Sequence, residues 1–109
     1  VYAISMTHRR LAQIEKRIAK IKTEVAAIGE MRPGSLTRQY KDPQGPSGPY
    51  YQLSYTREMK SRTEYIPRSW VREVRRQIVN YKRFKALTTE WVALSIERCR
   101  LKMKLPRRR

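Results

Sequence analysis

The sequence predicts a mostly helical α+β fold: two long antiparallel helices with one β-hairpin packed between or against them. Three observations carry this. An apolar seam repeats at heptad spacing near the N-terminus, Tyr and Leu alternate with polar residues in mid-chain, and a long periodic segment without proline follows Pro67. The 109 residues fit one domain, 1–109, able to bury a modest core.

The first helix is expected over 4–29. Leu11, Ile14, Ile18, Ile21, Val25 and Ile28 recur at alternating steps of three and four, with Ile4 one heptad earlier. Charged residues such as Lys16, Lys20 and Glu24 fill the intervening positions, and Gly29 is expected to end the helix in the left-handed conformation. Residues 30–49 are rich in glycine and proline and are read as loop, with a short helical turn capped by Ser35.

Over 50–66, Tyr51, Leu53 and Tyr55 alternate with Gln52, Ser54 and Thr56, the period of a half-buried strand. A turn at Arg57 to Met59 sets Tyr51 opposite Tyr65 and Leu53 opposite Thr63, with Gln52, Ser54 and Thr56 sharing the outer face with Glu64, Arg62 and Lys60. Met59 is a poor residue for the left-handed position such a turn requires. Tyr51, Tyr55 and Tyr65 are accordingly read as core.

The second helix is expected over 67–105, with Pro67 in its first turn and Pro106 ending it. Its apolar positions run Val71, Val74, Ile78, Tyr81, then Phe84, Leu87, Trp91, Leu94. The step of three at Tyr81 to Phe84, where four is due, predicts different packing partners before and after residue 82. Trp70 and Trp91 are read as core or dimer anchors, and residues 106–109 as a basic tail. The first helix's seam exceeds what one hairpin can cover, which predicts a homodimer or a partner protein through 4–29.

Charge is the strongest functional signal. Lys and Arg number 26 against nine acids, for a net charge of +17, and the pI is near 10.8. Such a field attracts polyanions, and nucleic acid is the expected partner. No apolar run reaches the 18 or so residues of a membrane span, and no secretory leader is evident. The lone Cys99 suits a reducing compartment and is read as a small buried hydrophobe, so a cytoplasmic location is expected.

The catalytic inventory is nearly empty. One His (His8), one Cys (Cys99) and one Asp (Asp42) lie on different elements, and the eight glutamates are dispersed. Zinc sites and two-metal sites need clustered ligands, so neither a metal, a cofactor nor an enzyme is expected. Most of the glutamates are read as local partners of lysine and arginine within one helix.

The basic patches are more informative. Arg72, Arg76 and Arg83 lie near one line of the second helix, with Arg75 and Lys82 beside it and Arg68 at its start; Glu73 is their only counter-charge. Such a row can track a phosphate backbone. Arg107, Arg108 and Arg109 close a second run, from Arg98, that contains no acid. Tyr50, off the core face of the hairpin, is the candidate for stacking on a base.

Pro33-Gly34-Ser35-Leu36, then Gly48-Pro49-Tyr50-Tyr51-Gln52-Leu53-Ser54-Tyr55, then Val74 through Asn80-Tyr81 into Trp91, resemble a bacterial domain family of unknown function. Its members are small, with a Gly-Ser-Leu turn, a His-Gly-Pro-Tyr-Tyr hairpin and a long basic helix. The resemblance covers about 28 to 101 and implies an accessory role in bacterial mobile elements. The family's cysteine knuckle, which looks like a zinc site, is absent here: residues 41–47 hold no cysteine, Ser47 stands in place of His, and metal binding is not implied. Met59 replaces the usual turn glycine.

Two functions from different classes are therefore expected. One is a small non-enzymatic protein contacting DNA or RNA phosphates through the basic helix. The other is an architectural or oligomerisation subunit of a larger nucleoprotein complex.

Overall fold

The structure, a computed structural model, describes residues 2–42 and 48–106. In chain order it contains α1 (Tyr2–Ala26), β1 (Ser35–Gln39), β2 (Tyr50–Arg57), β3 (Lys60–Ile66), a 3₁₀ turn (Arg68–Trp70) and α2 (Val71–Met103). These fall into two compact units: the chain up to Ile28 with the chain from Phe84 onward, and Gly29–Arg83. The boundary in α2 lies at Arg83–Phe84, beside the step where the apolar period slips.

In the first unit, the α1 seam is buried where the period predicts. Ile14 is 1% and Ile21 0% exposed, with Leu11 and Leu87 also buried. The seam expected to receive a second copy is thus largely covered within the chain itself.

Three ion pairs set the alignment here. Arg17 donates to Glu90 through Nε and a terminal nitrogen at 2.6 and 2.7 Å. Arg10 grips Glu97 in the same forked geometry at 2.7 and 2.8 Å, and Arg98 donates to Glu15 at 3.0 Å. The Arg17 and Arg10 pairs couple a falling α1 number to a rising α2 number, so the two segments run antiparallel. Pairs this exposed add little stability, but forked geometry fixes register. Lys22 Nζ also lies 5.6 Å from the Trp91 ring centre.

These pairs correct the local reading for Glu15, Glu90 and Glu97, whose partners come from distant sequence, whereas Glu73 does pair locally, with Arg76. They also give Arg98, in the acid-free C-terminal run, a carboxylate. α1 ends earlier than expected, closed by Ala27 N–H to the Thr23 carbonyl and Ile28 N–H to that of Val25, both 3.1 Å. Gly29 has no left-handed φ; among the described glycines that conformation belongs to Gly34.

In the second unit, the expected loop with a helical turn at Ser35 contains a strand instead. β1 adds to the hairpin, giving an antiparallel sheet of order β1-β2-β3 with Leu36 opposite Leu53 and Arg38 opposite Tyr51. Leu36 joins the core, so pairing and burial override the loop-like composition around it. Gly34, just before the strand, has φ 125°, and a Cβ there would lie 2.6 Å from the Ser54 carbonyl oxygen.

The hairpin register also differs by one residue. Tyr51 pairs with Ile66, Gln52 with Tyr65 and Leu53 with Glu64, closing on the two-residue turn Glu58-Met59. Both turn residues have positive φ, 52° and 63°, as the tightest hairpin turns require. The shift sends Ile66 to the core and Tyr65 to the opposite face. Leu53, Ile66, Val74 and Ile78 form the core, with Leu36, Tyr51, Tyr55 and Val71 packed against it. Full burial of such side chains stabilises by about 1.5–3 kcal/mol each.

The chain before β1 is tied to α2 by polar contacts. Asn80 Nδ2 donates to the Glu30 carbonyl at 2.8 Å, and Arg32 N–H to the Gln77 carbonyl at 3.1 Å. The buried Gln77 side chain donates to Glu30 and Glu73. Arg32 pairs with Glu64 and lies 5.3 Å from the Tyr55 ring centre.

Candidate nucleic-acid interface

Within Val71–Arg83, Val74, Gln77 and Ile78 are buried and define the inward side of α2. At 3.6 residues per turn, Arg72, Arg76, Val79 and Arg83 fall within an arc of about 60° on the opposite side. Arg75 and Lys82 flank that arc. All five basic residues are exposed, and Val79 among them is 64% exposed.

The charges are not equivalent. Arg76 pairs with Glu73 at 2.7 Å, one helical turn away. That hydrogen bond, with the one from Gln77, holds the Glu73 carboxyl below its ordinary range. Among the described residues, Arg72, Arg75, Lys82 and Arg83 take part in none of the ion pairs. The row is therefore four unneutralised charges and one shared with Glu73. Arg68 lies exposed in the preceding 3₁₀ turn.

Tyr50 lies opposite Gln39, on the sheet face away from Leu53 and Ile66. Tyr65, read as core, is on that same face and 66% exposed. The sequence held no signal for this, because it depends on a one-residue difference in register. Trp70 is also exposed, which removes the core reading and leaves that of a dimer anchor, and Trp91 is half-buried under Lys22. Cys99, read as a buried hydrophobe, is exposed. Arg107, Arg108 and Arg109 lie outside the described residues, as does Ser47.

Among the described residues, no three of His, Cys, Asp and Glu come together in a way that could hold a metal ion. No described helix is long and apolar enough to cross a membrane.

These features define a strongly basic, mostly helical α+β protein with a three-stranded antiparallel sheet. The chain belongs to the family described as domain of unknown function DUF6788, whose pattern matches residues 5–76. That span takes in α1 from its fourth residue, the sheet and the start of α2 through Arg76; Lys82 and Arg83 lie beyond it. No curated protein and no solved structure matches the chain.

Proposed function

We propose that this is a small non-enzymatic nucleic-acid-binding protein that contacts phosphates through Arg68, Arg72, Arg75, Lys82 and Arg83, with Arg76 as a weaker member. The observation that carries the reading is the outward side of α2 in the Gly29–Arg83 unit. A solvated helix face ordinarily mixes signs, whereas here the single acid is engaged by Arg76 and Gln77. The guanidinium groups stand on a helix anchored by a buried core, so little ordering opposes phosphate contact. Phosphate contacts position a nucleic acid without reading its sequence, which agrees with a row that matches no sequence-reading helix.

The test compares two triple variants binding a generic duplex at matched salt. Arg72, Arg75 and Arg83 to Ala should weaken affinity by at least about tenfold. Arg107, Arg108 and Arg109 to Ala removes the same charge and should cost less. An equal or larger loss from the second triple would move the binding surface to the C-terminal end.

A second reading has its own observation. Val92, Ile96, Cys99 and Met103 follow a 4-3-4 spacing along α2 and are all exposed; Val92 and Ile96, with Trp91, line a shallow groove. An apolar helical stripe of this kind suits an architectural subunit. Sedimentation of the wild type and of Ile96→Asp tests it: association that the substitution abolishes supports the reading, and a monomer at all concentrations removes it.

A further inference from the structure

The sheet's open face differs in chemistry from the rest of this molecule. Adjacent strands place Gln39 and Tyr50, Thr37 and Gln52, then Gln52 and Tyr65, side by side. Every residue of that face is Ser, Thr, Gln or Tyr, in a chain of which 32% is charged. The reverse face packs Leu53 and Ile66 onto Val74 and Ile78. The open face is thus the sheet surface turned away from α2.

Tyr50 and Tyr65 are diagonal neighbours on β2 and β3, since Tyr65 pairs with Gln52, two residues along from Tyr50. Side chains so related stand about 7–8 Å apart. That is about twice the 3.4 Å rise of stacked nucleotides, so two adjacent bases would have to splay, each onto its own ring. Bases in a duplex are already stacked within it; unpaired bases are free to do this.

The hydroxyl and amide groups around the rings can donate to and accept from base edges. Because the face carries no carboxylate, it does not repel a polyanion. The cations of the same strands, Arg38, Arg57, Lys60 and Arg62, alternate onto the reverse face, so the open face itself is uncharged and its contribution is stacking and hydrogen bonding.

We infer that the open face of the sheet, through Tyr50 and Tyr65, is a stacking platform for single-stranded nucleic acid, distinct from the phosphate-contacting row of α2. This rests on the nucleic-acid reading above and adds the kind of strand that this second surface takes. Stacking is not electrostatic, so the two surfaces carry different signatures. Loss of a ring lowers affinity at every salt concentration, while loss of helix charge flattens the salt dependence.

The experiment measures fluorescence anisotropy of a labelled 12-nucleotide oligothymidylate and of a labelled 12-base-pair duplex across a salt series. The proteins are the full-length wild type, Tyr65→Thr, Tyr65→Phe and Tyr50→Thr. Either threonine variant should weaken single-strand binding by about tenfold, with an unchanged salt slope and unchanged duplex affinity. Tyr65→Phe, which keeps the ring, should bind the single strand as the wild type does.

Wild-type single-strand affinity from the threonine variants would overturn the platform while leaving the helix reading intact. So would a phenylalanine variant as weak as the threonine one. A wild type that binds neither oligonucleotide would overturn both, including the case in which this face receives a protein.

Discussion

Gly34 and Met59 have opposite relations to their backbone. Gly34 sits at φ 125° against the β2 backbone, with no room for a side chain beside the Ser54 carbonyl. Gly34→Ala should therefore destabilise by at least about 2 kcal/mol, from the strained conformation and the close approach together. Met59 adopts φ 63° in a two-residue turn, and its side chain is almost wholly exposed. A non-glycine residue pays about 1–2 kcal/mol for that conformation, part of which glycine returns as greater freedom of the unfolded chain. Met59→Gly should raise stability by about 0.5–1 kcal/mol, read as a higher midpoint in urea. An unchanged or lower midpoint would show that the turn has another geometry.

Among the elements, α1 was the most legible, because its seam satisfies one period over several turns and Ile14 and Ile21 are buried as that period requires. β1 was hidden by the glycine and proline on either side; what makes Ser35–Gln39 a strand is pairing with β2, a contact no local pattern reports. The hairpin was legible in its position but not in its register. Choosing a three-residue turn over a two-residue one exchanged Ile66 and Tyr65 between core and open face, and so concealed one of the two stacking residues. The basic row of α2 could be read from spacing, and so could a local partner for Glu73; which arginine it engages, Arg76, three residues on, appears only in the structure.

The ion pairs make an acid-sensitive prediction at the same scale. Hydrogen bonds from Arg17, Arg10 and Arg32 hold the carboxyls of Glu90, Glu97 and Glu64 below their ordinary range. Their contribution to stability is fully present above about pH 4.3, the unfolded value, and is lost as pH falls through the lower folded values. The melting temperature should fall across that acid range. Replacing Glu90 and Glu97 together by Gln should lower it at neutral pH and reduce its further fall in acid. A double variant with the same acid dependence as the wild type would show that these pairs do not couple to folding.

For the whole molecule, a net charge of +17 would bind polyanions weakly even without a shaped surface. The central claim is narrower: a defined part of the charge, held on one helix, makes the contacts. The most direct measurement is the salt dependence of duplex affinity for the wild type and for the Arg72, Arg75 and Arg83 to Ala variant, after circular dichroism has shown both to be folded. Five phosphate contacts from Arg68, Arg72, Arg75, Lys82 and Arg83 predict a wild-type log–log slope of about −4.5. Removing three should flatten it by up to about three units. A wild-type slope near zero, or the same steep slope in both proteins, would contradict the account.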